Sequence, residues 1–261
     1  MPAASAGSSL SQNWSGYAVH GATFQRASAS WRQPRPICPP GQTRYSAMWV
    51  GLGGYSLTSA ALEQVGTELD CVRGRIASSA WYELVPEPSQ TLRLHVRPGD
   101  LLTASVTAVG ANVTVAITDV TRRHSFQRTL LATSLDVSSA EWILEAPSAC
   151  VAGTAFCRTL PLADFRHARF SNAHAELAGG GIGAIVSSAW KRTMIVLGAG
   201  GMTFVSNGNG AVAVGTARPS RLTHSGSSFG VTYTQRFVPP DTVAGPRFPS
   251  GRQSIVHRRR S

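Results

Sequence analysis

Carboxylates are scarce enough in this chain to be followed one by one: 13 Asp and Glu among 261 residues, against 24 Lys and Arg. Two of them, Glu141 and Glu145, fall in the stretch SSAEWILEAPSAC at 138–150, which reads as a single strand. A pair of acids is the equipment of general acid–base hydrolysis. Side chains alternate along a strand, so Glu141, Ile143 and Glu145 share one face while Trp142 and Leu144 take the other. At about 3.3 Å per residue the two glutamates stand about 13 Å apart, beyond the roughly 5 to 9.5 Å that a glycosidase carboxylate pair spans. They cannot work as a pair, and at least one needs a partner from elsewhere in the chain.

Other chemistries find little support. GSSFG at 226–230 fits the spacing of a nucleophile elbow, but that motif needs a strand, a turn and a helix, and here a strand follows. GGGIGA at 179–184 and GAGG at 198–201 lack a following helix whose N-terminus would bind a pyrophosphate, so no dinucleotide site is expected. The histidines at 20, 95, 124, 167, 174, 224 and 257 show no paired ligand spacing, and neither a metal nor any other cofactor is expected.

The elements that must position the chemistry are strands. Short segments rich in β-branched and aromatic residues recur between turn signals, among them NWSGYAV, AMWVGLGG, ALEQVGTEL, SAWYELV, LRLHV, LLTASVTAV, NVTVAITDV and FGVTYTQ. This spacing, with hairpin signals such as RPGD and VGANV, predicts an all-β sandwich of two antiparallel sheets, and no amphipathic helix of three turns is visible. A length of 261 residues suits one large domain, placed at 11–235 after a flexible segment at 1–10. After Gln235 the alternation dissolves into a Pro- and Arg-rich tail, 236–261, expected to be disordered.

That tail holds six arginines against Asp241, so it supplies +5 of the net +11. Such charge suits weak association with anionic surfaces. The basic residues are scattered and no reading helix or stacking module accompanies them, which argues against specific nucleic-acid binding. Lys191 is the only lysine, so the arginine excess also fits a compositional bias of the source genome. No apolar stretch approaches the length of a transmembrane segment. Four cysteines without metal-ligand spacing suggest an exported, oxidised protein, although no signal sequence is visible. The preferred pairing is Cys150 with Cys157 and Cys38 with Cys71, one of three possible connectivities.

One constellation remains: NWSG at 13–16, WVGLGG at 49–54, ALEQVGTEL at 61–69, AWYELVP at 80–86, AEWILE at 140–145 and ADF at 163–165. Their order resembles that of the glutamic peptidases, or eqolisins, over roughly residues 11 to 235, and the chain is identified as a bacterial-type member. The resemblance implies a concanavalin-like β-sandwich and a secreted monomeric endopeptidase that cuts polypeptide substrates at acidic pH without a cofactor. It implies that the catalytic pair is Glu141, as the base that deprotonates water, and Gln64, whose amide stabilises the oxyanion. Trp49, Trp81 and Glu83 are expected to contact substrate, the last two from a flap.

Three departures stand out. Gly53 replaces an acid of the family pattern, Leu84 replaces a tryptophan, and Arg166 replaces a glycine. They keep a second reading open, a non-catalytic sandwich that binds polysaccharide or cell wall on Trp14, Trp49 and Trp81. If the working range is acidic, a second carboxyl must stay protonated, for which Glu83 and Glu145 are the candidates.

Overall fold

The computed structural model describes residues 6–56, 58–150, 157–198, 202–203, 212–223 and 225–238, and among them there is no helix. In chain order the strands begin with β1 (Ala6–Ser11), β2 (Trp14–His20), β3 (Phe24–Arg32), β4 (Ala47–Gly53), β5 (Leu62–Val72) and β6 (Arg75–Val85). They continue with β7 (Gln90–Thr91), β8 (Leu101–Val109), β9 (Asn112–Asp119), β10 (His124–Leu131) and β11 (Ser139–Glu145). A separate ladder joins β12 (Ser148–Cys150) to β13 (Cys157–Thr159). Last come β14 (His167–Leu177), β15 (Ile182–Ala184), β16 (Lys191–Leu197), β17 (Met202–Thr203), β18 (Val212–Pro219) and β19 (Phe229–Val238).

Hydrogen-bonded neighbours arrange these strands in two layers. The first runs β1–β16–β2–β11–β4–β5–β6–β7. The second runs β17–β18–β19–β14–β3–β8–β9–β10, with β15 on β14. A bridge between Leu197 and Ala217 joins the layers at one edge. All of these ladders are antiparallel except β1 on β16, which is parallel.

Alternation decides which residues fill the space between the layers. Tyr17, Val19, Met48, Val50, Val65, Trp142 and Leu144 of the first layer meet Trp31, Leu102, Val106, Ile117 and Phe170 of the second in one core. Trp142 is fully buried there, and its indole N–H donates across the gap to the Ser28 carbonyl at 2.9 Å. The alternate residues of the first layer turn to its other face and form a smaller apolar cluster of Trp14, Ala18, Trp49, Leu62, Trp81 and Ile143.

Several elements differ from the sequence expectation. LRLHV is not a strand: Leu92 donates one bond to the Ala80 carbonyl and the chain then leaves the sheet, burying Leu94 and Val96 without a ladder. Ala6–Ser11, expected to be mostly a flexible lead, is strand β1. Beyond Gln235, Arg236, Phe237 and Val238 continue β19 and pair with Val214, Ala213 and Val212. Residues 239–261 lie outside the described residues, so the expected tail falls mostly there. Cys38 and Cys71 form a disulfide, with Cα atoms 5.2 Å apart. Cys157 is also disulfide-bonded and lies opposite Cys150 in the register. Among the described residues no helix is long and apolar enough to cross a membrane.

Candidate active site

Glu141 and Gln64 come together through register. In β11–β4–β5–β6 the residues Glu141, Gly51, Gln64 and Glu83 are direct cross-strand partners, so they form one row on one face. Neighbouring strands lie about 4.8 Å apart, which puts the Glu141 and Gln64 backbones about 10 Å from each other with Gly51 between them. A methyl group at position 51 would press on the Trp49 ring at 3.1 Å and a Leu62 methyl at 3.2 Å. Glycine thus lets Trp49 and Leu62 pack over the strand between the two side chains.

The next row explains the rest of the motif residues. Ile143, Trp49, Gly66 and Trp81 are partners across the same four strands. A side chain at Gly66 would collide with the Met48 carbonyl and with the Cα and Cβ of Trp49, so the glycine lets β5 lie close against β4 there. Trp14 packs edge-on against Trp49 with ring centroids 5.0 Å apart. Gly16 lets β2 approach the Trp142 carbonyl, where any Cβ would clash. The expected exposed stacking platforms are absent: Trp14, Trp49 and Trp81 are 4%, 0% and 1% exposed, because they pack together in the apolar cluster on this face of the first layer. Trp81 and Glu83 lie within β6, paired to β5, rather than on a flap, and Glu83 is itself buried.

The polar groups divide into satisfied and unsatisfied. Gln64 donates its amide to Glu83 Oε2 at 2.7 Å, which fixes the direction of the amide plane and leaves its Oε1 without a partner. Both oxygens of Glu141 are buried without a hydrogen-bond partner. Burial accordingly raises the Glu141 carboxyl well above its ordinary value, and the Asp136 carboxylate, with Glu63 once it ionises, pushes it further the same way. The Ser139 hydroxyl opposes the shift without reaching hydrogen-bond geometry. Glu145, by contrast, accepts from Asn13 Nδ2 at 3.0 Å and Trp49 Nε1 at 2.8 Å.

Two acids near this site escaped the sequence reading. Glu63, next to Gln64 but on the opposite face, is fully buried, and burial together with the Asp136 charge pushes its carboxyl up to about 9. Glu63 is thus a carboxyl kept protonated at neutral pH that the sequence did not single out. Asp136 sits beyond the end of β4, against Gly53 and Gly54. Their only sequence signals are a carboxylate beside Gln64 and an Asp two residues before a serine, a local turn pattern. The Arg166 departure also resolves: its φ of 59° lies in the left-handed region that favours glycine, its N–H bonds Asp164 at 2.9 Å, and its side chain is exposed. Among the described residues no three His, Cys, Asp or Glu side chains converge to hold a metal ion.

Residues 12–213 match the model of the peptidase A4 family. The chain belongs to that family. It is a member of the glutamic peptidases, the eqolisins, and hence a peptide-bond hydrolase. The fold agrees with solved eqolisins. Scytalidoglutamic peptidase, in complex with a peptide-based transition-state analogue, shares 21% identity at a TM-score of 0.65, over 85% of this chain and 98% of that one. SCP-B, in complex with the tripeptide Ala-Ile-His, shares 19% at 0.60 over 85% and 98%. Aspergilloglutamic peptidase from Aspergillus niger shares 23% at 0.53 over 73% and 99%. No curated protein sequence matches this chain.

Proposed function

We propose that the chain is an exported endopeptidase that works at acidic pH, with Glu141 activating water and Gln64 binding the oxyanion. The observation that carries this reading is the row in which Gly51 separates Glu141 from Gln64, with three buried acceptor oxygens on the two side chains left without partners. A water molecule entering between them has two O–H donors to offer, one to Glu141 and one to Gln64 Oε1. Its oxygen is then free to attack the carbonyl of a bound peptide. As the tetrahedral oxyanion forms, the Gln64 N–H not held by Glu83 can donate to it.

Glu141 takes the proton of the attacking water and passes it to the leaving nitrogen, so the carboxyl ends the cycle as it began. Its raised proton affinity suits the second half of that task, because the proton stays on Glu141 until the nitrogen can accept it. For the first half the carboxylate must exist, and the incoming water supplies the missing hydrogen bond that lowers the carboxyl toward the working range. An acidic range is supported by stability: Glu63 and Glu141 are both raised, so each favours the folded state most where it is protonated. Export is supported by the Cys38–Cys71 disulfide.

The test is cleavage of a denatured protein by the purified chain from about pH 2 to 8, with pepstatin and EDTA present. Internal cleavage that peaks on the acid side is expected. Failure to cut at any pH would overturn the proposal and favour the binding module.

A further inference from the structure

Gly53 and Gly54 have φ of 80° and 83°, and they turn the chain at the end of β4 around one side chain, Asp136. A Cβ built on Gly53 would lie 2.6 Å from the Asp136 Cβ and 3.0 Å from its carboxyl carbon. The space a side chain at 53 would take is already filled by Asp136, whose main-chain carbonyl, at 2.5 Å, and side chain both crowd it. Its carboxylate is firmly held. Its Oδ2 accepts from the Gly54 N–H at 3.2 Å and from the Ser59 hydroxyl, and its Oδ1 accepts from the Ser138 N–H at 2.9 Å. It lies five positions before Glu141, and Gly53, against which it packs, is two residues along β4 from Gly51, the cross-strand partner of Glu141.

We propose that Asp136, folded into the side-chain space left by Gly53, is a positioning residue of this site that sets how tightly Glu141 holds the proton it takes from water. The inference rests on Glu141 being the base. Burial works to raise Asp136, but the Ser138 and Ser59 hydroxyls and the Ser138 and Gly54 N–H groups outweigh it, so the residue stays ionised. A fixed negative charge beside a donorless carboxyl makes that carboxyl a stronger base. The other titratable groups on the elements around Glu141 are Tyr17 and His20 on β2, Glu63, Glu68 and Asp70 on β5, Arg75, Tyr82 and Glu83 on β6, Glu145 on β11, Lys191 and Arg192 on β16, and Tyr55 after β4. Of these only Glu63 acts on Glu141 in the same sense as Asp136, and it does so only once it ionises, at about 9. Asp136 also acts on Glu63 itself, so one ionised acid raises two neighbours.

The experiment follows Glu141 directly, by ¹³C-carboxyl labelling of glutamate in the full chain, with Glu141→Gln identifying the resonance, alongside the pH dependence of kcat. Asp136→Asn should lower the Glu141 midpoint by about one pH unit, the scale of one nearby like charge. The acidic limb of kcat should move the same way, with KM changed less than about twofold. Asp136→Glu, which keeps the charge, should stay near wild type in both readouts. A merely structural role predicts the reverse order, with the isosteric Asn benign and the longer Glu harmful. Gly53→Ala approaches the contact from the other side, pushing the carboxylate away, and should also lower the midpoint. An unchanged midpoint in both Asp136→Asn and Gly53→Ala would overturn the inference. Titration does not depend on turnover, so an inactive wild-type chain would sink the peptidase proposal while this coupling was still read.

Discussion

Glu141 and Glu145 stand on the same strand and the same face, and neither is more than 1% exposed. Their surroundings are opposite. Glu145 receives two N–H donors, from Asn13 and Trp49, and so ties three stretches of chain together: the lead into β2, strand β4 and strand β11. Charge-assisted bonds of that kind satisfy a buried carboxylate. Glu141 receives none, although a buried polar group without a partner costs free energy. A fold that satisfies one acid and starves its neighbour two rows away has given them different work. On the proposed mechanism the first holds the platform, and the second keeps its lone pairs for the incoming water.

The largest effect that could break this contrast is loss of turnover in Glu141→Gln. The variant keeps the shape and removes the base, so kcat should fall by about 10³ to 10⁴. Melting should stay within about 1 kcal/mol of wild type, because a neutral amide of the same shape replaces a carboxyl whose charged form burial disfavours. Peptide hydrolysis and thermal unfolding measured on the same preparation check both halves. Full turnover would remove Glu141 from the mechanism.

Much of this site was legible in the sequence, and the boundary of what was not has a physical cause. Alternation separated Glu141 from Trp142 correctly, since a two-residue period is local. The pairing of Glu141 with Gln64 came from motif order, because register between distant strands leaves no mark within either one. Strand β3 went unread: FQRASASWR buries Ala27, Ala29 and Trp31, but alanines among serines carry little β-propensity to announce a strand. β10 was missed for the contrary reason, as an edge strand with most residues exposed. Asp136 fills the place of a residue 83 positions earlier in the chain, and only three-dimensional packing could disclose that.

Glu63 offers a sharper form of the same contrast, read through stability. Its carboxyl is raised to about 9 in the fold, whereas the unfolded chain releases the proton near 4.5. Between those values the unfolded state binds fewer protons, so stability falls as pH rises, by about 1.4 kcal/mol per unit. The loss amounts to roughly 3 kcal/mol by pH 7. Glu63→Gln removes it and should melt higher than wild type at neutral pH while matching it near pH 4. Some slope should persist, since Glu141 is raised as well. Asp100 and Asp136 act oppositely: both are lowered, so their contribution is present above about 3.8 and is lost in stronger acid. Melting curves of the two proteins that stayed parallel from pH 4 to 8 would mean that Glu63 is ionised in the fold.

Glu145→Gln should have the smallest effect, and its character matters more than its size. The amide oxygen can still accept from either Asn13 or Trp49, but its NH₂ then faces the other donor, leaving one buried N–H unpaired. That costs about 1 to 3 kcal/mol of stability. Because Glu145 stands about 13 Å along the strand from Glu141, kcat in the folded fraction should drop less than about threefold. The expected signature is therefore a lower melting temperature with near-normal turnover, the inverse of Glu141→Gln. Asn13→Ala should reproduce it, since it removes one of the same two bonds from the other side, and a double variant should cost less than the sum of the singles. If Glu145→Gln instead lost turnover while melting normally, the satisfied carboxylate would be the chemical one, and the division between the two glutamates would have to be reversed.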